Sequence, residues 1–240
     1  MSRSYDISGV EYPSVTTILS LLDKGDAITN WAVKQATKFI RDNRGNREQY
    51  PDLDSLLGAA ETEWRGAKEE AADIGSEIHG IIERYIQHGR DALGGFRPEV
   101  ENGFLAFLEW EQAHKIQWVK SEMTVISNTY GFAGTLDAIC IYEGKQYVID
   151  FKSSKGFWDT FGKQISAYRI AAAEMGHPTD GCGILRLDKI TGIPEFKDYT
   201  KNQEKEGTAF LKLVEFYYAD KDRRLKNNPF TIKAKNQKKE

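Results

Sequence analysis

The sequence predicts an α/β fold in which a helical region comes first and a mixed sheet follows in βββαβ order. Three observations predict it. Apolar residues recur at helical spacing in several segments up to His114. From Trp118 the pattern changes to period two over three consecutive segments. A helical stretch and a further strand then follow, an order that suits one α/β domain with a mixed sheet and an N-terminal helical cover.

The elements follow in order. Tyr12-Pro13 reads as extended chain entering an apolar stretch. Asp26 is expected to cap a helix over 27–41, with Ile28, Trp31, Ala32, Gln35 and Phe39 near one stripe. Residues 42–53 are polar, contain Gly45 and Pro51, and read as a loop. A helical block over 55–87 sets Ile74, Ile78, Ile81, Ile82 and Tyr85 at helical spacing. Gly89, Gly94 and Gly95 mark 88–98 as a loop, and a helix follows over 99–114. Strands are expected over 118–127, 134–142 and 146–151, a helix over 161–175, a strand over 181–187 and a fifth over 195–199. The last helix covers 201–224. The whole reads as a single domain over 1–240: a helical cover over about 12–115, a core over about 116–200, and a C-terminal helix with a basic tail over 201–240.

Composition narrows the class. Of the 240 residues, 40% are hydrophobic and 12% aromatic, which excludes wholesale disorder. The 33 basic and 36 acidic residues leave a net charge of −3, so a polyanionic partner must be met by a local patch. Residues 221–240 are such a patch, with eight basic residues against two acidic. They read either as a solvated end or as a sequence-blind contact to phosphates. Two cysteines, Cys140 and Cys182, exclude a disulfide scaffold and a Cys-rich zinc or iron–sulfur site. No apolar run opens the chain, and none approaches the ~20 residues of a membrane helix. The expectation is a soluble cytoplasmic protein with no membrane partner.

The chemistry concentrates in Gly134-Thr135-Leu136-Asp137 and in Ile149-Asp150-Phe151-Lys152, where two acids and a lysine interrupt apolar strands. A buried unpaired carboxylate is costly, so these acids need a counterpart. Glu143-Gly144 suits a two-residue turn, with glycine taking a positive φ. Tyr142 then faces Lys145 and, counting back, Asp137 faces Asp150 with Cβ atoms roughly 4.5–5.5 Å apart. Lys152 shares the face of Asp150. A divalent cation would convert the repulsion between the acids into a site, and oxygen ligands suit Mg²⁺ or Mn²⁺. A three-residue turn would slip the register and separate the acids. The other reading of these residues is ordinary strand acids with Lys152 as a salt-bridge partner.

These residues resemble the RecB-like branch of the PD-(D/E)XK nuclease superfamily, and within it the mitochondrial genome maintenance exonucleases with their phage and bacterial relatives. The resemblance runs from Tyr12 to Ala173. It includes Tyr12-Pro13-Ser14-Val15-Thr16-Thr17-Ile18-Leu19, Gly75-Ser76-Glu77-Ile78-His79 with Ile82-Glu83 and Tyr85, Glu122, the two strand motifs, and Gln164-Ile165-Ser166-Ala167-Tyr168. It implies a restriction-endonuclease-like core and metal-dependent hydrolysis of DNA phosphodiesters. The substrate would be single-stranded DNA, ends or flaps, met in replication, repair or recombination in a bacterial or phage-infected cell. Asp137, Asp150, the carbonyl of Phe151 and His79 would ligate Mg²⁺ or Mn²⁺, two ions in all. Lys152 would position or activate the attacking water. Glu122 would lie beside the metals as an outer or second-metal ligand. Gln164 and Tyr168, four apart on one helix face, would bond the DNA backbone or orient Lys152. Glu83, four residues after His79, reads either as a partner that orients the imidazole or as a surface acid.

Relatives with an iron–sulfur cluster carry four cysteines, so no cluster is expected here. There is no Walker A signature, so any helicase partner would be a separate chain. Phe157 and Trp158 read as core residues, or alternatively as rings that stack on bases. A structure-specific endonuclease and a non-catalytic nucleic-acid-binding module of the same fold are the alternatives.

Overall fold

The computed structural model describes residues 3–22, 25–89 and 96–220, without the side chains of 25–28. The side chain of the expected Asp26 cap, most of the glycine-rich loop and the basic segment 221–240 therefore lie outside what is described. The chain divides into two compact units, Leu22–Glu77 and the remainder up to Leu21 and from Ile78. Among the described residues no helix is long and apolar enough to cross a membrane.

The Leu22–Glu77 unit holds α2 (Gly25–Asn43) and the larger part of α3 (Leu53–His88). Helix α2 already begins at Gly25, so Asp26 falls inside its first turn. The polar loop before α3 is braced by Phe39 against Tyr50 at 5.7 Å, edge to face, and by Asp52 Oδ1 accepting from the Ser55 amide at 2.8 Å.

The other unit opens on a hairpin that periodicity alone does not announce, β1 (Ser4–Ile7) with β2 (Val10–Pro13). Its turn, Ser8-Gly9, has φ of 54° and 78°, the mirror-image geometry that matches strand twist. Ser14 then caps α1 (Val15–Leu19), its hydroxyl accepting from the Thr17 amide at 2.9 Å. After α4 (Pro98–His114) come β3 (Gln117–Ser127), β4 (Phe132–Tyr142) and β5 (Lys145–Lys152) as an antiparallel meander. Helix α5 (Asp159–Glu174) crosses over to β6 (Gly181–Leu187), which pairs parallel with β5. Strand β7 (Pro194–Asp198), a 3₁₀ turn at Thr200–Asn202 and α6 (Gln203–Asp220) complete the unit. The result is a mixed α/β fold around a five-stranded mixed sheet in sequential order β3 to β7.

Adjacent residues of β5 show where the helices lie. Phe151 meets Phe107 of α4 edge to face at 5.6 Å, whereas Asp150 accepts from Gln164 of α5. Neighbouring strand residues point to opposite faces, so α4 and α5 cover opposite faces of the sheet. On one face Phe107, Trp118 and Phe151 form an aromatic cluster beside the fully buried Ile78, Ile81 and Ile82 of α3. On the other, Phe132 packs against Phe210 of α6 at 5.0 Å.

Sheet packing is tight enough to need glycine at Gly183, where a Cβ would stand 2.3 Å from the Phe196 ring on β7. Gly183→Ala should therefore cost about 1–3 kcal/mol of stability through overpacking. Urea denaturation of the two proteins reads this directly, and an unchanged midpoint would show that the ring has room to move.

Candidate metal and acid site

The expected register of β4 and β5 is present. Tyr142 pairs with Lys145 across Glu143-Gly144, whose φ values are 50° and 76°. The pairing continues to Ala138 and Ile149 and stops there, one step short of Asp137 and Asp150. At that step the Asp137 carboxylate accepts the Phe151 amide at 2.6 Å. The side chain of Asp137 thus takes a donor that a continuing ladder would use.

The neighbouring strand departs from regular geometry at the same level. Ser121–Ala138 and Met123–Leu136 are paired, so Glu122 stands across from Asp137, yet no pair joins those two. Glu122 has φ of 46°, a left-handed conformation that costs a non-glycine residue about 1–3 kcal/mol. The pleat of β4 is interrupted as well. Tyr142 stacks on Trp110 of α4 at 5.6 Å, while a Cβ on Gly134 would meet Tyr168 of α5 at 2.5 Å. Both positions are even-numbered and would share a face in an uninterrupted strand. Simple alternation along 134–142 therefore does not carry through the site.

These irregularities gather donors. The ligand atoms of His79, Glu122 and Asp137 lie within 4.8 Å of one another. His79 Nδ1 is 3.5 Å from Asp137 Oδ2, and its ring stands edge-on to Phe151 at 6.1 Å. Asp150 lies outside this trio. Its Oδ2 is ion-paired with Lys152, and its Oδ1 accepts from Gln164 Nε2 at 3.3 Å. Gln164 also donates to the Tyr168 hydroxyl at 3.0 Å. Gln164 and Tyr168 are both buried, and only Gln164 reaches Asp150 directly. Glu83 accepts from Gln87 at 3.1 Å, while the group beside the imidazole is Asp137. The Phe151 amide donates to Asp137.

Burial sets the protonation behaviour. It pushes Asp150 up to about 6 against the opposing pull of Lys152. Burial and then the charge of Asp137 push Glu122 up to about 7. Burial works the same way on Asp137, but His79, Lys152 and the Phe151 amide outweigh it and hold that carboxyl below its ordinary value. Burial works to lower both cations, yet Asp137 keeps His79, and Asp150 keeps Lys152, above their usual values. Lys152 is thus a held ammonium here rather than a free base.

The donor chemistry fits a divalent cation. Asp150 Oδ2 is a buried anionic oxygen held against the Lys152 ammonium. Beside it, two further carboxylates and an imidazole converge. Oxygen-rich sets of this kind suit Mg²⁺ or Mn²⁺.

Three features of the site escape sequence reasoning. Gly134 is the seat of the Tyr168 ring, and a glycine inside a strand pattern is the signal for such a close approach. Tyr5 reaches across from β1, its hydroxyl 3.0 Å from Thr135 Oγ1. The left-handed backbone of Glu122 has no signature in the sequence. Of the two rings read as core, Trp158 is 53% exposed.

No protein-family model and no curated protein sequence matches the chain. Among solved structures it is similar to SSO0001, at 14% identity and a TM-score of 0.31, over 59% of this chain and 70% of that one. So slight a likeness carries no argument.

The acids make a testable demand on pH. Asp150 and Glu122 hold protons in the folded chain that the unfolded chain, titrating at 3.8 and 4.5, has released. The stability this lends is complete below those lower values and is lost as pH rises to about 7. The contribution of His79, whose folded value lies above 6.5, fades in the same direction. In EDTA the melting temperature should fall between about pH 5 and pH 8, by about 2–4 °C per kcal/mol lost. Glu122→Gln should flatten the decline. A melting temperature that rises over this range would contradict the arrangement.

Proposed function

We propose that this protein is a metal-dependent nuclease that hydrolyses DNA phosphodiesters, with a restriction-endonuclease-like core of the RecB-like PD-(D/E)XK kind. The observation that carries the reading is the meeting of His79, Glu122 and Asp137 beside the buried Asp150–Lys152 pair. Once Glu122 ionises, above about pH 7, three carboxylates face two cationic groups and one negative charge is left without a counter-charge. These groups form a site suited to a divalent cation and to a phosphate it can bridge.

His79, Glu122 and Asp137 would hold the ion, with Asp150 as the next oxygen donor. A bound Mg²⁺ or Mn²⁺ would offset charge on the phosphate and lower the pKa of water. Lys152 supplies a positive charge at the same place and would position or activate the attacking water. Gln164 and Tyr168 fix Asp150 from behind. The Phe107–Trp118–Phe151 cluster makes a rigid wall behind His79. The sequence resemblance directs the reading to DNA, and to single strands, ends or flaps within it.

Labelled single-stranded, duplex and flap DNA, each with one end blocked in turn, tests the activity in Mg²⁺ and Mn²⁺. Asp137→Asn, Asp150→Asn and Lys152→Ala should each lower cleavage by at least about 10²–10³-fold, the scale of losing one preorganised electrostatic group. Near-full activity in any of them would overturn the assignment.

Divalent cations should also raise the melting temperature by binding the folded state. The rise should be larger at pH 8 than at pH 5.5, because protonated Asp150 and Glu122 are poor ligands. His79→Ala should shrink the rise, and an unchanged shift in that variant would remove the imidazole from the ligand set.

A further inference from the structure

The segment joining β5 to α5 leaves the site directly after Lys152. It is held in place along its length. Arg186 Nη1 donates to the Ser154 carbonyl at 3.3 Å, and the Ser154 hydroxyl donates to the Gly156 carbonyl at 2.8 Å. Arg186 is itself buried and fixed by Glu195 and Asp188. Phe157 is pinned by the Lys197 ammonium, 5.4 Å from its ring centroid. The next residue, Trp158, is turned outward and 53% exposed.

Trp158 occupies a position that local stability would give to another residue. It is the N-cap of α5, with φ of −103° and ψ of 150°, and makes no side-chain cap bond. Serine, threonine, aspartate or asparagine there would stabilise the helix by about 0.5–2 kcal/mol. An exposed indole at a helix start without a side-chain cap, on a braced loop, breaks a local rule, which points to function.

Its position says which. The Trp158 carbonyl accepts the Phe161 amide at 3.0 Å, and the Phe161 ring lies 5.4 Å from Lys152 Nζ. One helical turn therefore separates the indole from the residue that touches the candidate catalytic lysine. Lys155 stands exposed in the same loop. An exposed ring on a braced loop that also carries a lysine is the kind of arrangement on which an unstacked base rests while the backbone is held by charge.

We infer that Trp158 is the stacking platform for a base of a single strand whose phosphate lies at Lys152. The inference rests on the proposed function and narrows its substrate class to nucleic acid with unpaired bases near the cut. A duplex offers no free base face at that point.

The test measures binding in EDTA, where nothing is cleaved, by wild type, Trp158→Ala and Trp158→Phe. The probes are labelled oligothymidylate and an abasic strand of equal length. Trp158→Ala should weaken oligothymidylate binding roughly 5- to 100-fold, and Trp158→Phe should recover most of the loss. All three proteins should bind the abasic strand alike, and the salt dependence should not change, because no phosphate contact is lost. Equal affinity of wild type and Trp158→Ala for oligothymidylate overturns the inference. So does an equal loss on the abasic strand, which would place the effect on the backbone or the fold.

The same proteins assayed for Mg²⁺- and Mn²⁺-dependent cleavage separate this inference from the activity beneath it. Cleavage without a base-dependent role for Trp158 removes the platform and keeps the nuclease. Base-dependent binding without cleavage removes the nuclease and keeps the platform. A wild type that binds neither strand removes the platform outright.

Discussion

Glu122, Asp137 and Asp150 stand at one level across β3, β4 and β5, and their mutual repulsion is the constraint around which the sheet is arranged. Nothing in an ordinary ladder relieves it. The strands instead give up their pairing at this level, Asp137 turns to the Phe151 amide, and Glu122 takes a left-handed backbone. Each acid is then answered from a different direction: Asp137 by His79, Asp150 by Lys152 and Gln164, and Glu122 by retaining a proton until about neutral pH. Strain of about 1–3 kcal/mol at Glu122 is small beside the cost of leaving buried ionised carboxylates without counter-charge.

The supporting architecture is hydrophobic and rigid for the same reason. Glu111 of α4 accepts from both the Tyr85 hydroxyl at 2.7 Å and the Trp118 indole at 2.6 Å. One carboxylate thus ties the last turns of α3 to α4 and to β3. His79 lies two turns before Tyr85 on α3, so the imidazole is positioned through packing remote from the acids. On the other face Tyr168 sits under Gly134 and passes that constraint through Gln164 to Asp150.

Much of this was legible in the residues. The change of period after His114, the Glu143-Gly144 turn and the register it sets were all readable, and each sheet strand ends within two residues of its expected limit. The β1–β2 hairpin was not, because four-residue strands carry too little pattern and only Ser8-Gly9 hints at the turn. Within the site, the pairing of Lys152 with Asp150 follows from alternation, since both residues lie in the regular β5–β6 ladder. The convergence of Glu122 with His79 does not, since it needs a broken pleat and a left-handed residue that no periodicity encodes. Burial of Gln164 and exposure of Trp158 likewise depend on which way a helix lands, and a sequence pattern ranks both orientations alike.

The parallel pairing of β5 with β6 also bears on when the site comes into being. Strands β3 to β5 can meet through short turns, but β6 reaches β5 only after α5 has crossed over. Asp150 is supported from α5 and flanked by β6, so its final surroundings need contacts between residues far apart in sequence. Non-local contacts of this kind form late, because loop closure must precede them. A chain folded only as far as its meander would hold Asp137 and Asp150 in the right order yet lack the helix that aims the second acid. Completion of the crossover is therefore the event that assembles the finished site, and partly folded molecules would carry the acids without the geometry to use them.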